Sequence, residues 1–437
     1  MPSEEKQDIL IFRTRLKPNK TQEEALWRNC AGYRWVYNYM LSLFMKRHEE
    51  WKIAKEKHES DPKNGAFVTP EELKPLKAFD LKKLLPVLKK EDSTSWLAEL
   101  DSQALAGAVI NCGKTWTRFL GRKSTGSGFP KFRNRDKHVY LESYNRAGAT
   151  KVKPSIVEGR RIKLNKIGSV KMYEEVHIKG RPDIHLIDLA KPSSYIISKK
   201  ANHWWISIRY QAPHIEPQKR EGDHVGIDMG VAKWATLSDG KYIGRDSRIE
   251  TKLKRLLERK DFYYRQLARR PKQKDKEDER KTYSGSNREK TKKKLAKVWS
   301  RIAEIRRNYS HHASKELSQE FARIAIEDLK IKNMVKSAKG TKENPGKNVK
   351  QKTGLNRSIN QQNWYQFRSM LEYKMARSGG ELVPVDPKNT SLTCSKCGHL
   401  AKENRIDQAK FRCQKCGFEE NADLNAAINI CKVAFGG

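Results

Sequence analysis

Two pairs of cysteines near the C-terminus constrain the fold of this chain more than any other feature. They follow the spacing C-x2-C-x15-C-x2-C, and each pair lies in a CxxCG segment. Each segment places two thiolates on one tight turn, and two such turns complete a closed tetrahedral zinc site. A redox-active CxxC is the alternative, but it does not require a second matching pair at this distance. The spacing therefore predicts a structural zinc ribbon over residues 391–420, with Zn²⁺ bound by Cys394, Cys397, Cys413 and Cys416.

The other three cysteines are scattered in helical patterns, at Cys30, Cys112 and Cys431. The sequence has no secretory signal, so a disulfide framework is not expected and a reducing compartment is. We therefore expect a cytoplasmic protein.

Basic residues exceed acidic residues along the whole chain. Lys and Arg number 91 against 52 Asp and Glu, which gives a formal net charge of +39 over 437 residues. A merely solvated basic surface is the alternative, but self-repulsion of this size destabilises a compact protein unless a polyanion neutralises it. Nucleic acid is therefore the expected partner. A membrane is not, because the sequence contains no long apolar run, signal peptide or lipidation motif.

The N-terminal half combines strands with a helical insertion. Residues 8–16 alternate as a strand, and residues 160–212 are rich in strand patterns. Between them apolar residues recur at helical spacing, and a capping box from Thr21 to Glu24 predicts the start of the first helix. We expect a small β-barrel built from residues 1–16 and 139–217, interrupted by a helical module over 17–138.

A basic, glycine-rich loop ends the helical module. Residues 121–138 read GRKSTGSGFPKFRNRDKH and interleave cations with Phe129 and Phe132. Cations can bind phosphates while aromatic rings stack on bases, so this loop is a candidate nucleic-acid contact. The alternative is a solvated linker anchored by its aromatics. The candidate binding residues are Lys131, Arg133 and Arg135.

Three carboxylates lie in places where carboxylates are unusual. Asp228 follows the apolar segment VGI in the first strand of a predicted β-meander over 224–244, although an unpaired buried charge costs several kcal/mol. Glu327 closes the buried run IAI, and Asp328 must point to the opposite face of that strand. Asp423 falls in the first turn of a predicted helix for which Asn421 is the N-cap.

The order of these carboxylates is more informative than any one of them. Singly, each has an ordinary explanation as a turn cap, an ion-pair partner or a helix N-terminal residue. Together they follow the RNase H layout: a meander with Asp, helices, a strand ending in Glu, another strand, and a helix with Asp. Converging carboxylates repel each other unless cations lie between them, which suits Mg²⁺ or Mn²⁺ and two-metal phosphodiester chemistry. We therefore expect an RNase H-like domain over 222–390 and 421–437, interrupted by a helical hairpin over 247–319 and by the zinc ribbon.

With these residues assembled, the chain resembles the transposon-encoded TnpB proteins and the related compact type V CRISPR nucleases. The likeness spans nearly the whole chain and is strongest over 222–432. It departs at Ala422, where many TnpB members have arginine. The motifs that carry it are GIDMGVAKWATLSDG, IAIEDLKIKNM, VPVDPKNTSLTCSKCGH, FRCQKCG and NADLNAAINI, with GFPKF and NKIGSVKM in the N-terminal half.

The resemblance implies an α+β multidomain fold and an RNA-guided DNA endonuclease. The barrel, called the wedge in this family, and the helical recognition module would hold guide RNA and read a short motif beside the target. The RuvC domain would cut double-stranded target DNA with one site, working as a monomer or homodimer in a prokaryotic cytoplasm and associating with the nucleoid when active. Asp228, Glu327 and Asp423 match the catalytic triad of the family, and the four paired cysteines match its zinc ligands.

Two other classes of function stay open from the residues alone. One is a DNA transposase that uses RNase H-type chemistry for strand transfer, although no separate DNA-recognition domain is evident. The other is a non-catalytic nucleic-acid-binding protein, which would not need all three carboxylates.

Overall fold

The computed structural model divides the chain into two compact units, Met1–Ile215 and Glu216–Gly437. Helices in the parts of the chain that the structure describes are too short or too polar to cross a membrane. The described residues are 7–60, 69–121, 126–135, 139–145, 155–177, 192–214, 216–270, 273–274, 282–283, 285–341 and 344–436.

The first unit joins a sheet to a group of helices. Its strands are β1 (Gln7–Lys17), β2 (Tyr140–Tyr144), β3 (Ile156–Glu158), β4 (Arg161–Leu164), β5 (Gly168–Met172), β6 (Ser194–Lys200) and β7 (His203–Pro213). Its helices are α1 (Lys20–Glu59), α2 (Ala78–Lys82), α3 (Leu84–Leu88) and α4 (Ser102–Leu120), with 3₁₀ turns at Glu71–Leu73 and Ser95–Glu99.

The strands of the first unit form one antiparallel sheet of seven strands, in the order β2-β6-β7-β1-β5-β4-β3. The edge strands β2 and β3 approach each other at one end. There the side chain of Asn145 accepts a hydrogen bond from the backbone N–H of Ser155 at 3.0 Å and donates one to its carbonyl at 2.9 Å. The sheet therefore has its two edges tied together at this end by a side chain.

The capping box of α1 is present, but the predicted position was wrong. The N-cap is Asn19, whose side chain accepts from the backbone N–H of Gln22 at 2.8 Å, while the side chain of Gln22 accepts from the backbone of Asn19 at 3.1 Å. Asparagine is as good an N-cap as threonine, and glutamine replaces glutamate in the same motif. The helix consequently begins before Thr21, the residue expected to cap it.

The second unit is built on a mixed sheet with long helices. Its strands are β8 (His224–Asp228), β9 (Ala235–Leu237), β10 (Tyr242–Ile243), β11 (Gln273–Lys274), β12 (Thr282–Tyr283), β13 (Arg323–Glu327), β14 (Glu381–Val385), β15 (Lys410–Arg412) and β16 (Glu419–Asn421). Its helices are α5 (Ser247–Ala268), α6 (Ser286–Glu320), α7 (Ile331–Met334), α8 (Val349–Gln362), α9 (Trp364–Arg377) and α10 (Ala422–Phe435), with a 3₁₀ turn at Lys402–Asn404.

The main sheet of this unit has five strands in the order β10-β9-β8-β13-β14. Strands β8, β13 and β14 are parallel, whereas β9 and β10 continue from β8 as the predicted meander. Two long helices, α5 and α6, pack against each other through buried apolar residues that include Leu253, Leu295 and Ile302. The two predicted amphipathic helices are therefore present between β10 and β13.

Candidate active site and metal centre

Asp228 and Glu327 lie at the carboxyl ends of two neighbouring parallel strands. Ile227 of β8 is in register with Ile326 of β13, and each carboxylate is the next residue along its strand. Strands β8 and β13 bury their apolar residues in the core, which fixes the register. The two carboxylates consequently lie side by side at one edge of the sheet.

Asp423 reaches the same region because α10 packs directly on β8. A Cβ atom at Gly226 would lie 2.2 Å from the carbonyl oxygen of Ala427 and 2.6 Å from the backbone nitrogen of Cys431, so only glycine permits this approach. At the start of α10 the side chain of Asn421 accepts from the backbone N–H of Asp423 at 3.1 Å. The predicted N-cap is confirmed.

Burial acts on both strand carboxylates, and repulsion by neighbouring charges adds to it at Asp228. Burial, together with the negative charges of Glu327 and Asp423, raises the pKa of Asp228 to about 8. Burial raises the pKa of Glu327 to about 7, although a hydrogen bond from the hydroxyl of Thr390, at 3.4 Å, acts in the opposite direction. Carboxylic acids with pKa values this far above their usual range are characteristic of functional sites.

The neighbouring carboxylate, Asp328, has a different environment. It forms ion pairs with Lys330 and Arg368, and hydrogen bonds from these two residues lower its pKa. Asp328 follows Glu327, the last residue of β13. Asp328 is therefore an ion-paired carboxylate with a pKa below its usual range, in contrast to Asp228 and Glu327.

The sequence did not identify Arg405 as a cation near Asp228. The positive charge of Arg405 lowers the pKa of Asp228, against the larger effects of burial and of the two carboxylates. The guanidinium donates to the carbonyl oxygens of Asp407 at 3.3 Å and Gln408 at 3.1 Å, which fixes its position in a turn. Arg405 lies in the spacer between the two cysteine pairs, where no pattern distinguishes it from the other basic residues.

The four paired cysteines are gathered in one cluster. Their sulfur atoms all lie within 4.8 Å of one another. Cys394 and Cys416 are 3.7 Å apart, and Cys397 and Cys413 are 3.6 Å apart. Tetrahedral Zn²⁺ with Zn–S bonds of about 2.3 Å requires sulfur separations of about 3.8 Å. The cluster therefore fits zinc in both donor type and size.

Each CxxCG segment folds as the same tight turn. Gly398 and Gly417 have φ of +72° and +70°, which residues with a Cβ rarely adopt. Their backbone N–H groups donate to the carbonyl oxygens of Cys394 and Cys413 at 2.9 and 3.0 Å. Among the described residues, no other set of three or more potential ligands is as closely spaced, and the three carboxylates do not approach one another to this degree.

Two asparagines of α10 connect the cysteine cluster with the carboxylates. The side chain of Asn425 accepts from the backbone N–H of Ser395, inside the first cysteine turn, at 2.9 Å. That of Asn429 donates to the carbonyl oxygen of Thr390 at 2.8 Å, and Thr390 in turn donates to Glu327. The helix that carries Asp423 is thus hydrogen-bonded both to the cluster and to a neighbour of Glu327.

The basic loop of the first unit is described at residue 121 and over residues 126–135, and its other predicted residues lie outside the described part. Lys131 and Arg135 are exposed. Arg133 is half-buried, with its guanidinium 3.3 Å from the ring centroid of Tyr37 and 4.7 Å from that of Tyr140. Arg133 consequently packs on aromatic rings of its own unit, while its two neighbours face solvent.

Three family models match the chain in succession. A model described as "Helix-turn-helix domain" (HTH_OrfB_IS605) matches residues 9–52, where the structure has β1 followed by most of α1. One described as "Probable transposase" (OrfB_IS605) matches residues 207–338, and "Cas12f1-like, TNB domain" matches residues 364–430.

Relatives match over most of the chain as well. "Putative RNA-guided DNA endonuclease InsQ" of Escherichia coli is 32% identical over 97% of this chain and 91% of its own length. "CRISPR-associated endodeoxyribonuclease Cas12f1" of Sulfoacidibacillus thermotolerans is 28% identical over 54% of this chain and 52% of its own length. A solved Cas12f1–sgRNA–target DNA complex, 14% identical, matches with a TM-score of 0.52 over 94% of this chain and 82% of that chain, which indicates a shared fold.

The sheet with carboxylates at one edge and an adjoining four-cysteine cluster is the arrangement that the sequence motifs indicated. The chain belongs to the TnpB (OrfB of IS605) family, to which the Cas12f1 nucleases are similar.

Proposed function

We propose that this protein is an RNA-guided DNA endonuclease, with its active site at the edge of the second unit's main sheet. The observation that carries the proposal is the meeting of Asp228 and Glu327 at adjacent strand ends, close enough to Asp423 for its charge to raise the pKa of Asp228. Similarity to the InsQ protein along almost the whole chain supports the guided activity.

Asp228, Glu327 and Asp423 are the residues that would hold divalent cations. Their oxygen donors suit Mg²⁺ or Mn²⁺, and a cation between them would relieve the repulsion that raises the pKa of Asp228. When bound, such ions would activate water and stabilise the leaving oxygen of a phosphodiester. The carboxylates must be ionised to act, and the raised pKa values of Asp228 and Glu327 make this harder in the absence of cations.

Other residues would support this site in a RuvC-type domain over 222–390 and 421–437. The guanidinium of Arg405, whose charge reaches Asp228, would attract the phosphate of the DNA strand. The four cysteines would bind Zn²⁺ as a structural ion, since a closed Cys₄ site leaves no position for substrate. The asparagines of α10 would then transmit the rigidity of the ribbon to Asp423.

The first unit would hold the guide RNA and read a short motif beside the target. Protein contacts to phosphates carry no sequence information. Recognition of a long DNA sequence would therefore come from base pairing with the guide. Lys131 and Arg135 are exposed and available for phosphates, whereas Arg133 would act by holding the loop on Tyr37.

Exchange of the guide is the experiment that tests this function. The purified protein is expected to carry a nuclease-sensitive RNA and, in Mg²⁺ buffer, to cut only duplexes complementary to its variable end. Two plasmids that differ only in the target segment are incubated with protein assembled on each of two guides. The cut is expected to move with the guide.

Protein freed of RNA is the matched control. A cut site that stays fixed when the guide changes, or equally selective cutting by the RNA-free protein, would contradict the proposal. That result would favour the second candidate function, a DNA transposase, which the match to the "Probable transposase" family supports. Transposition would be recognised by joining of the cut ends to a second DNA molecule.

A further inference from the structure

A cavity of about 240 Å³ adjoins Glu327 and has no part in the function proposed so far. Glu327 is one of its lining residues, so the cavity borders the carboxylate site. Its volume is several times the roughly 30 Å³ that one water molecule occupies in the liquid, so it has room for a ring system. Its apolar lining includes Met229, Ile326 and Leu329.

Two aromatic residues at the start of α9, Trp364 and Tyr365, line the cavity. Trp364 is 6% exposed, and Tyr365 is 76% exposed, which is unusual for a large aromatic side chain. The buried indole N–H of Trp364 has no hydrogen-bond partner among the described residues. A buried donor without a partner is costly, and native structures rarely leave one.

We propose that this cavity receives one nucleobase of the DNA strand being cut, from a nucleotide beside the scissile phosphate. The inference rests on the proposed function, because it places the phosphate at the carboxylates that share Glu327 with the cavity. A nucleobase has flat apolar faces, which suit the exposed ring of Tyr365 and the apolar walls. Arg368, which also lines the cavity, is ion-paired with Asp328, so the cavity offers no unpaired cation to a phosphate.

The base is expected to be unstacked from its neighbours before it enters. Enzymes that act on nucleic acids commonly place a splayed base against aromatic side chains, and such stacking tolerates every base because each has a π-face. The cavity would therefore position the strand rather than select its sequence. Tyr365 is accordingly a positioning residue, acting on the nucleotide next to the reacting phosphate.

An abasic scan tests the proposal. A guide-matched duplex is prepared in versions that each lack one base near the cut, and cleavage is measured in a single turnover with the guide-loaded protein. We expect one position to slow cleavage roughly tenfold, the scale of one base–aromatic stack. Tyr365→Ala should slow cleavage of the intact duplex by a similar factor and reduce the abasic penalty at that position to less than about twofold.

The control variant is Tyr373→Ala, on the same helix, 43% exposed and absent from the cavity lining. It should behave as the wild type on every duplex. A scan of the wild type without a sensitive position overturns the proposal, as does an abasic penalty that persists undiminished in Tyr365→Ala. Failure of the underlying function looks different, because the wild type would then not cut the intact matched duplex at all.

Discussion

The second unit contains two candidate metal sites that are built in opposite ways. The cysteine cluster takes all of its ligands from two turns of one short segment, and its sulfur atoms already lie at zinc spacing. The carboxylate site takes Asp228, Glu327 and Asp423 from two strands and a helix that are distant in the sequence. The charges of Glu327 and Asp423 raise the pKa of Asp228, and the three carboxylates lie further apart than the thiols.

The cysteine site is therefore expected to stabilise the folded protein, whereas the carboxylate site is expected to destabilise it. Closed thiolate sites contribute folding free energy when they bind zinc. Buried carboxylates that lie close together lower the stability of the metal-free protein. Each must either keep a charge that burial and repulsion make costly, or take up a proton that it would not bind in the unfolded chain. Substitutions should therefore have opposite effects on stability at the two sites, although both should reduce cleavage.

The largest effect is expected at the carboxylates. Asp228→Ala, Glu327→Ala and Asp423→Ala should each reduce guide-dependent cleavage on the order of 10³-fold or more, because metal stabilisation of the transition state is worth several kcal/mol. Binding of guide and target should change little. Asp328→Ala is the matched control beside Glu327, and it should cut normally. Near-normal cutting by any one of the three variants would remove that residue from the site.

A smaller, indirect loss is expected at the cysteines. Cys394→Ser or Cys413→Ser should lose Zn²⁺, lower the melting temperature and reduce cleavage roughly 10- to 100-fold, the range found for residues that orient ligands from outside a site. Cys431→Ser, outside the cluster, should keep its zinc. Metal analysis of active protein checks the assignment, and far less than one zinc per chain would refute it.

The smallest effect is a gain of stability at the carboxylate site. The folded-state pKa of Asp228, about 8, lies above the ordinary value near 3.9, so its contribution to stability is fully present below about pH 4 and is lost progressively as pH rises from there to about 8. Asp228→Asn cannot ionise and avoids this loss. Without divalent cations it should be more stable than the wild type by roughly 1–3 kcal/mol at pH 8 and by about a third of that at pH 5.

Thermal unfolding in Mg²⁺-free buffer at the two pH values measures this difference. Chelators are omitted, because they would also remove zinc. Addition of Mg²⁺ should stabilise the wild type more than the variant and so reduce the gap. A gap that does not depend on pH would mean that Asp228 is not the group whose ionisation destabilises the fold.

The two sites also differ in how far the sequence could reveal them. The cysteine cluster follows from spacing alone, since all its ligands and both turn glycines lie in two short motifs. The position of Asp423 near Asp228 depends on α10 packing against Gly226, a contact between distant segments that periodicity does not encode. The role of Arg405 was missed for the same reason. The capping box of α1 was misplaced because two overlapping motifs both fitted the local pattern.

The packing of α10 on Gly226 has a consequence for the order of events during synthesis. Asp423 follows the strand carboxylates, the long helices and the cysteine segment along the chain. A nascent chain can fold the strands that carry Asp228 and Glu327 while Asp423 is still inside the ribosome. The third carboxylate joins the others only when α10 has emerged and docked on β8. On the proposed assignment of Asp423, DNA cleavage would therefore begin only after α10 has docked on β8.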